Sequence, residues 1–403
     1  MLHTILKYLY INFFSRFLLF RNLRNVFILR RNGFAGDERT YHLRVLTQLR
    51  IKPIPQHDDF IILNNATVIG KSTAVVHGDK IILFWNLSKS HFAKVIKQFY
   101  LLEEFFGWFA INLDSQSITE KLNPSQLKLY GTWVSFSSHA SENWMHFISE
   151  VLPRMIRFSK IQSDVNFGIV LDDSIPPSAM QLCKLIFDGT PTVVCHRGQK
   201  VVVENLLVNS TPNSFYLCWP RNSDSPERIS VGVYDSEGLL LARNYLFKKF
   251  NLSEKFVKKR NKLYVKRKSF FRKILNESEV SENLLRKGFK SIEPGSLNLV
   301  EQANLFNQAG IVVAQAGAAM ANIIFMPRGS LLICLVADSE WKDYAYFNDY
   351  ARIFGVRLVY IEGQVIHPNK YDKNQTYSVN HPLNADFNCP IEMLMEEIEV
   401  AFE

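Results

Sequence analysis

The sequence lacks most of the features that announce a cofactor or a covalent framework. Its 403 residues include five cysteines, Cys183, Cys195, Cys218, Cys334 and Cys389, an odd number with no CxxC pair. That usage argues against a disulfide framework and a cysteine zinc site. Three of the five lie in or beside apolar runs and read as small buried hydrophobes, which fits a reducing compartment. Neither GxGxxG nor GxxxxGK[ST] occurs, which disfavours a dinucleotide dehydrogenase and a P-loop nucleotide hydrolase. There is no convincing Asp-x-Asp; the nearest acidic pair, Asp172 and Asp173, reads as a strand-end turn. Repeats and low-complexity tracts are absent too.

Long apolar runs are also missing. Residues 1–31 are aromatic and aliphatic, but Lys7, Arg16, Arg21, Arg24, Arg30 and Arg31 interrupt them. The longest uncharged run after Lys7 covers residues 8–15, against the roughly 20 apolar residues that span a bilayer. No small-residue cleavage site follows an apolar stretch, so a signal peptide is not expected. The segment reads as a basic amphipathic helix, lying on an anionic membrane face or packed on the body. The expectation is a cytoplasmic protein, peripheral to the inner face of the plasma membrane if the membrane reading holds.

What is present is a globular composition, 47% hydrophobic and 21% charged, long enough for two cores. The net charge of +9 implies an anionic partner: nucleic acid, acidic glycan, nucleotide phosphates or a membrane surface.

Residues 50–130 read as short strands and turns, with a hairpin around Gly78 and Asp79. A β-rich run at 132–136 and a polar turn at 137–143 precede a helix. In it Trp144, Phe147, Ile148, Val151 and Leu152 recur at helical spacing, and Pro153 sits awkwardly. Strands at 167–171, 191–195 and 201–208 alternate with a helix at 177–187, the pattern of a layered α/β domain. A basic helical stretch ends at Arg260, and a second α/β unit begins at 262–266. Its helix at 277–287 starts at Asn276 as N-cap and stops at Gly288. Further strands fall at 290–293, 311–314, 330–336 and 356–361, with helices at 299–307 and 344–354. The division expected is a basic amphipathic N-terminal segment at 1–40 and an acceptor-side α/β domain at 41–230. A Rossmann-like nucleotide-sugar-binding domain follows at 231–380, and a C-terminal helix at 381–403.

Three constellations can carry chemistry. In NWMHFISEVLPR, residues 143–154, His146 and Glu150 are i and i+4 and share a helical face. They offer an imidazole base with an orienting carboxylate, or simply a solvated pair; Asn143 and Arg154 flank them. In QAGAAMAN, residues 315–322, Gly317 and Ala318 follow a buried strand, so the backbone can approach a phosphate; tight strand–helix packing selects the same residues. Arg267 and Arg272 follow the strand at 262–266, where a cation can neutralise a diphosphate leaving group or line a solvated loop. Glu301 and Gln302 can reach a ribose hydroxyl or lie on the surface.

In this order the blocks resemble the family 61 glycosyltransferases, which include plant cell-wall, endoplasmic-reticulum and bacterial capsular enzymes. The residues that carry the likeness are 143–154, LYVKR at 263–267 with RKILNE at 272–277, Glu301 with Gln302, and 315–330. The family's loop histidine falls on Ala316 here, with Gln315 before it. The resemblance implies an α/β fold of two facing Rossmann-like domains (GT-B type) with a cleft between them. It implies that Arg267, Arg272, Glu301, Gln315, Gly317, Ala318 and Asn322 hold a nucleotide-sugar donor, and that Asn143 and Arg154 lie on the acceptor side. It further implies inverting transfer of a hexosyl or pentosyl group to a glycan or lipid-linked glycan, with His146 or Glu150 as base and no metal or other cofactor. A bacterial member would act in capsular or lipopolysaccharide synthesis. Two other classes stay open: a non-catalytic glycan- or nucleotide-binding subunit, favoured by Ala316, and a nucleic-acid binder. The second is disfavoured because the aromatics sit in apolar periodic segments rather than among basic residues.

Overall fold

The computed structural model describes residues 60–78, 82, 126–209, 234–254, 261–268, 270, 272–337, 346–367 and 384–401. It gives the backbone alone at 26–31, 39–42, 52–54, 57–59, 80–81, 83–84, 109–112, 117–120, 215–219, 229–233, 338 and 345. The chain is mixed α/β and divides into two units, Met1–Phe215 and Tyr216–Glu403.

The first unit is built on a twelve-stranded sheet. Its strands are β1 (Val26–Arg31), β2 (Arg39–His42), β3 (Lys52–Ile54), β4 (His57–Ile69), β5 (Ala74–His77), β6 (Lys80–Phe84), β7 (Phe109–Asn112) and β8 (Ser117–Glu120). They continue with β9 (Gln126–Ser135), β10 (Gly168–Asp172), β11 (Thr192–Cys195) and β12 (Lys200–Asn209). Among the described strands, β9 to β12 alone carry the parallel pairing expected of a Rossmann-like half, with β9 between β10 and β12. From β4 onward the sheet is extended by antiparallel strands, so this unit departs from a plain Rossmann layout. The hairpin is where the sequence puts it: β5 and β6 pair His77 with Lys80, and Gly78 at the turn has φ +61°, a conformation open to glycine. The helical reading of residues 1–31 is corrected over its last six residues, which form β1 against β6; residues 1–25 lie outside the described part.

Helix α1 covers NWMHFISEVLPR in three consecutive segments, an α-turn at Trp144–His146, a π-turn at Phe147–Val151 and an α segment at Leu152–Ser159. Pro153 explains the change of pitch. It donates no hydrogen bond, and its ring needs room at the preceding turn. The wider π-turn provides that room, and such turns collect at functional sites. Below α1, Phe158 packs against Phe60, Phe136 and Phe167, with Phe187 completing the cluster. Helix α2 (Pro177–Ile186) follows β10.

In the second unit β13 (Phe215–Trp219), whose first residue belongs to the first unit, pairs with β14 (Ile229–Val233). A six-stranded sheet follows, ordered β16–β15–β17–β18–β19–β20: β15 (Asn261–Val265), β16 (Phe289–Ile292), β17 (Ala309–Gln315), β18 (Leu331–Asp338), β19 (Arg357–Val365) and β20 (Phe387–Asn388). Its first five strands are parallel. Strand β17 is buried throughout, as expected of a strand covered on both faces. The helices are α3 (Ser236–Phe250), α4 (Glu277–Arg286), α5 (Leu299–Gln308), α6 (Ala345–Phe354) and α7 (Ile391–Val400). Val280 and Leu284 of α4 join Leu394 and Ile398 of α7 on one face, against Tyr264, Val313, Ile333 and Leu335. The C-terminal helix is thus part of this core. Arg243 of α3 is buried; it pairs with Glu254 and donates to the carbonyls of Ile324 and Met326.

Candidate active site

Among the described residues, each unit holds a cluster of chemically competent residues. In the first, the loop after β9 and the start of α1 meet the carboxyl end of β10. Asn143 caps α1, its side chain accepting from the Met145 amide. His146 and Glu150 then meet as their spacing requires, with Nδ1 2.7 Å from Oε1. Glu150 is buried and also accepts from Ser138 Oγ at 3.3 Å. Burial alone would raise its pKa, but the charge of His146 and the hydrogen bond from it hold the carboxyl below its usual value. An ionised Glu150 accepts a proton-bearing Nδ1, which makes Nε2 the basic nitrogen of His146.

His139, unflagged by the sequence, sits edge-on to His146 with ring centroids 5.3 Å apart. Burial pushes its pKa down to about 4, so it is neutral at pH 7. His139, His146 and Glu150 bring one nitrogen or oxygen each within 4.8 Å of one another. Two imidazoles and a carboxylate are also a donor set that suits a divalent metal.

Asp172, read from sequence as a strand-end turn, does end β10, but it is a buried hub. It accepts from the Ser137 and Ser141 hydroxyls at 2.5 and 2.6 Å, and from the Lys71 and Ser138 amides at 2.8 and 3.0 Å. Arg154 braces the same loop, donating to the carbonyls of Glu150, Ser135 and Ser137; burial lowers its pKa to about 10. Lys71 closes on Glu142 at 2.5 Å. The geometry therefore fixes residues 137–141 around the His146–Glu150 dyad.

The second cluster lies at the carboxyl ends of β15 and β17. From β15 the chain passes to β16 on one side, then crosses to β17 on the other. This is the switch point at which open parallel sheets bind ligands. Arg267, Lys268, Phe270, Arg272, Glu277 and Gln315 are among the residues that line a pocket of about 560 Å³ here. Arg267 and Arg272 are both in its wall. Arg267 Nη1 donates to the Ala316 carbonyl at 3.0 Å. Gly317 leaves room for it: a Cβ there would lie 3.1 Å from that nitrogen. Gln315 Nε2 donates to the Arg272 carbonyl.

The other expected donor residues are placed differently. Ala318 opens a 3₁₀ segment, Ala318–Phe325, rather than an α-helix. Asn322 is buried and donates to Gln302. Glu301 closes a capping box with Asn298 at the start of α5, and the carboxylate lining the pocket is Glu277. Asn276 makes no side-chain cap for α4; its amide exchanges hydrogen bonds with the Cys389 backbone instead. Cys183, Cys195, Cys334 and Cys389 are buried free thiols whose pKa burial raises.

A part-buried histidine–glutamate pair in one α/β unit and a cation-walled switch-point pocket in the other are compatible with an α/β group-transfer enzyme. The chain is similar to the Glycosyltransferase 61 family, whose model matches residues 144–333, a span that opens at α1, ends within β18 and includes His146, Glu150 and Arg267. That match supports a glycosyltransferase, and with it a sugar donor and a glycan acceptor. No curated protein matches the chain. Among the described residues no helix is long and apolar enough to cross a membrane.

Proposed function

We propose that the protein is an inverting glycosyltransferase that uses a nucleotide-sugar donor. The observation that carries the reading is the 2.7 Å contact between His146 and Glu150 within the span matched by the family. Glu150 fixes the imidazole so that Nε2 takes the proton of an acceptor hydroxyl as its oxygen attacks the anomeric carbon. The bond from that carbon to the leaving phosphate oxygen breaks in the same displacement. Arg267 stabilises the departing charge, with Arg272 in the same pocket wall. Hexosyl or pentosyl transfer to a surface polysaccharide, capsular or lipopolysaccharide, on the cytoplasmic side is part of this proposal. So is a membrane-facing role for residues 1–31, whose six cationic side chains suit an anionic surface.

The His139, His146 and Glu150 donor set fits a divalent ion, but the proposed displacement needs none, because cationic side chains carry the leaving-group charge. A second reading, a non-catalytic nucleotide-binding subunit, is favoured by Ala316, which stands where the family has histidine and contributes only its carbonyl to Arg267.

Thermal-shift titration of the full chain with UDP-, GDP-, CMP- and dTDP-sugars tests both. Stabilisation by one of them, lost in Arg267→Ala, together with sugar transfer lost in His146→Ala, supports the enzyme. Stabilisation without transfer to any acceptor supports the binding subunit. No stabilisation by any of the four removes the donor site.

A further inference from the structure

Phe270 is 93% exposed, an unusual position for a phenyl ring, and it lines the switch-point pocket between the cationic residues Lys268 and Arg272. Described residues before and after it are held by backbone and side-chain contacts. Before it, Lys266 N donates to Ile292 O at 2.8 Å, and Arg267 is held on Ala316. After it, Arg272 N donates to Asn384 O at 3.0 Å and Lys273 N to Asp386 Oδ1 at 2.7 Å. Arg272 itself has φ +58°, a left-handed conformation that costs a non-glycine residue about 1–2 kcal/mol. It persists because both neighbouring contacts and Gln315 demand it, and such over-determined strain collects at ligand sites. Phe270 therefore offers an exposed aromatic face in the lining of a pocket whose wall also carries Arg267, Lys268 and Arg272.

We infer that Phe270 is a stacking platform for the nucleobase of a nucleoside diphosphate whose phosphates lie on Arg267. The inference rests on the donor site proposed above and extends it to the base. Stacking on a phenyl face tolerates any base, since each has a π-surface. Phe270 would thus supply affinity for the nucleoside while leaving the choice of base to other contacts.

The test is calorimetric titration of the full chain with UDP, GDP and inorganic pyrophosphate. Phe270→Ala is expected to weaken the better-bound nucleoside diphosphate about fivefold or more and to leave pyrophosphate unchanged. Arg267→Ala is expected to weaken both. In Phe270→Trp the indole fluorescence should be quenched by the nucleotide and not by pyrophosphate. If Phe270→Ala binds nucleotide as the native chain does while Arg267→Ala weakens it, the platform is wrong and the donor site stands. If the native chain binds neither nucleotide nor pyrophosphate, both fall.

Discussion

Glu150 meets His146 across a π-turn, its Oε1 2.7 Å from Nδ1, and the same carboxylate accepts from Ser138 through Oε2. Each carboxylate oxygen thus has a named task, one orienting the imidazole and the other tying the loop after β9 to the helix. If His146 is the proposed base, its loss should show in turnover before it shows in stability.

Replacing His146 with alanine should lower kcat by about 10²–10⁴-fold, the usual contribution of a positioned base, with circular dichroism unchanged. Glu150→Gln should lose less, because the amide can still accept from Nδ1–H but no longer enforces that tautomer. Native turnover by both variants would take the dyad out of the mechanism.

His139 makes a pH prediction. Burial depresses its pKa from 6.5 to about 4, so between those values the unfolded chain binds the extra proton and the folded chain does not. Stability therefore falls as pH drops through that window. Glu150, also depressed, contributes stability that is lost as pH falls further, through its folded pKa. The melting temperature should decline from about pH 6.5 to pH 4, and His139→Phe should flatten that decline. An identical slope in the variant would assign the acid sensitivity to other groups.

Removing Asp172 should be costly. Its carboxylate takes hydrogen bonds from Ser137, Ser138, Ser141 and Lys71, and alanine would leave those donors without it in a buried site. Asp172→Ala is expected to cost about 3 kcal/mol or more and to slow turnover through the loosened 137–141 loop. Chemical denaturation reads the first effect. An unaltered midpoint would mean that water or a neighbour replaces the carboxylate.

Gly317→Ala tests the proposed phosphate role of Arg267 without removing its charge. The residue is extended, with φ 165°, so alanine is allowed there. Its methyl group would, however, come 3.1 Å from Arg267 Nη1. The guanidinium must move, and nucleotide affinity should fall with melting temperature unchanged. Unaltered affinity would place the phosphates away from Arg267.

Arg243 gives a purely structural prediction. It is buried, stacks 4.2 Å above Phe247 and satisfies two carbonyls and Glu254. Arg243→Met should destabilise the chain by about 2–4 kcal/mol, less than a fully buried pair would cost, because Glu254 is half exposed. A smaller loss would show that Met packing compensates for the ion pair.

Local chemistry made much of this legible beforehand. The hairpin turn at Gly78, the strands β10, β11, β15, β17 and β18 and the stop at Gly288 follow from propensity and periodicity, which act over a few residues. The contact of His146 with Glu150 follows from helical spacing alone. Pro153 looked out of place because a regular α-helix was assumed, and the π-turn resolves it. Asn276 looked like a cap, but a partner 113 residues away claimed its amide.

What only the tertiary structure decided was which distant groups share a site. Asp172 reaches Lys71 across 101 residues of sequence and Ser137 across 35, and nothing local encodes either partner. His139 lies in a polar turn with no period to mark it, and burial is the largest influence that lowers its pKa. The strand order that puts β15 beside β17, and so opens the pocket bearing Arg267 and Phe270, depends on where a crossover lands. Short-range forces fix the elements; the burial of apolar faces brings those elements together, and only then do their polar ends meet.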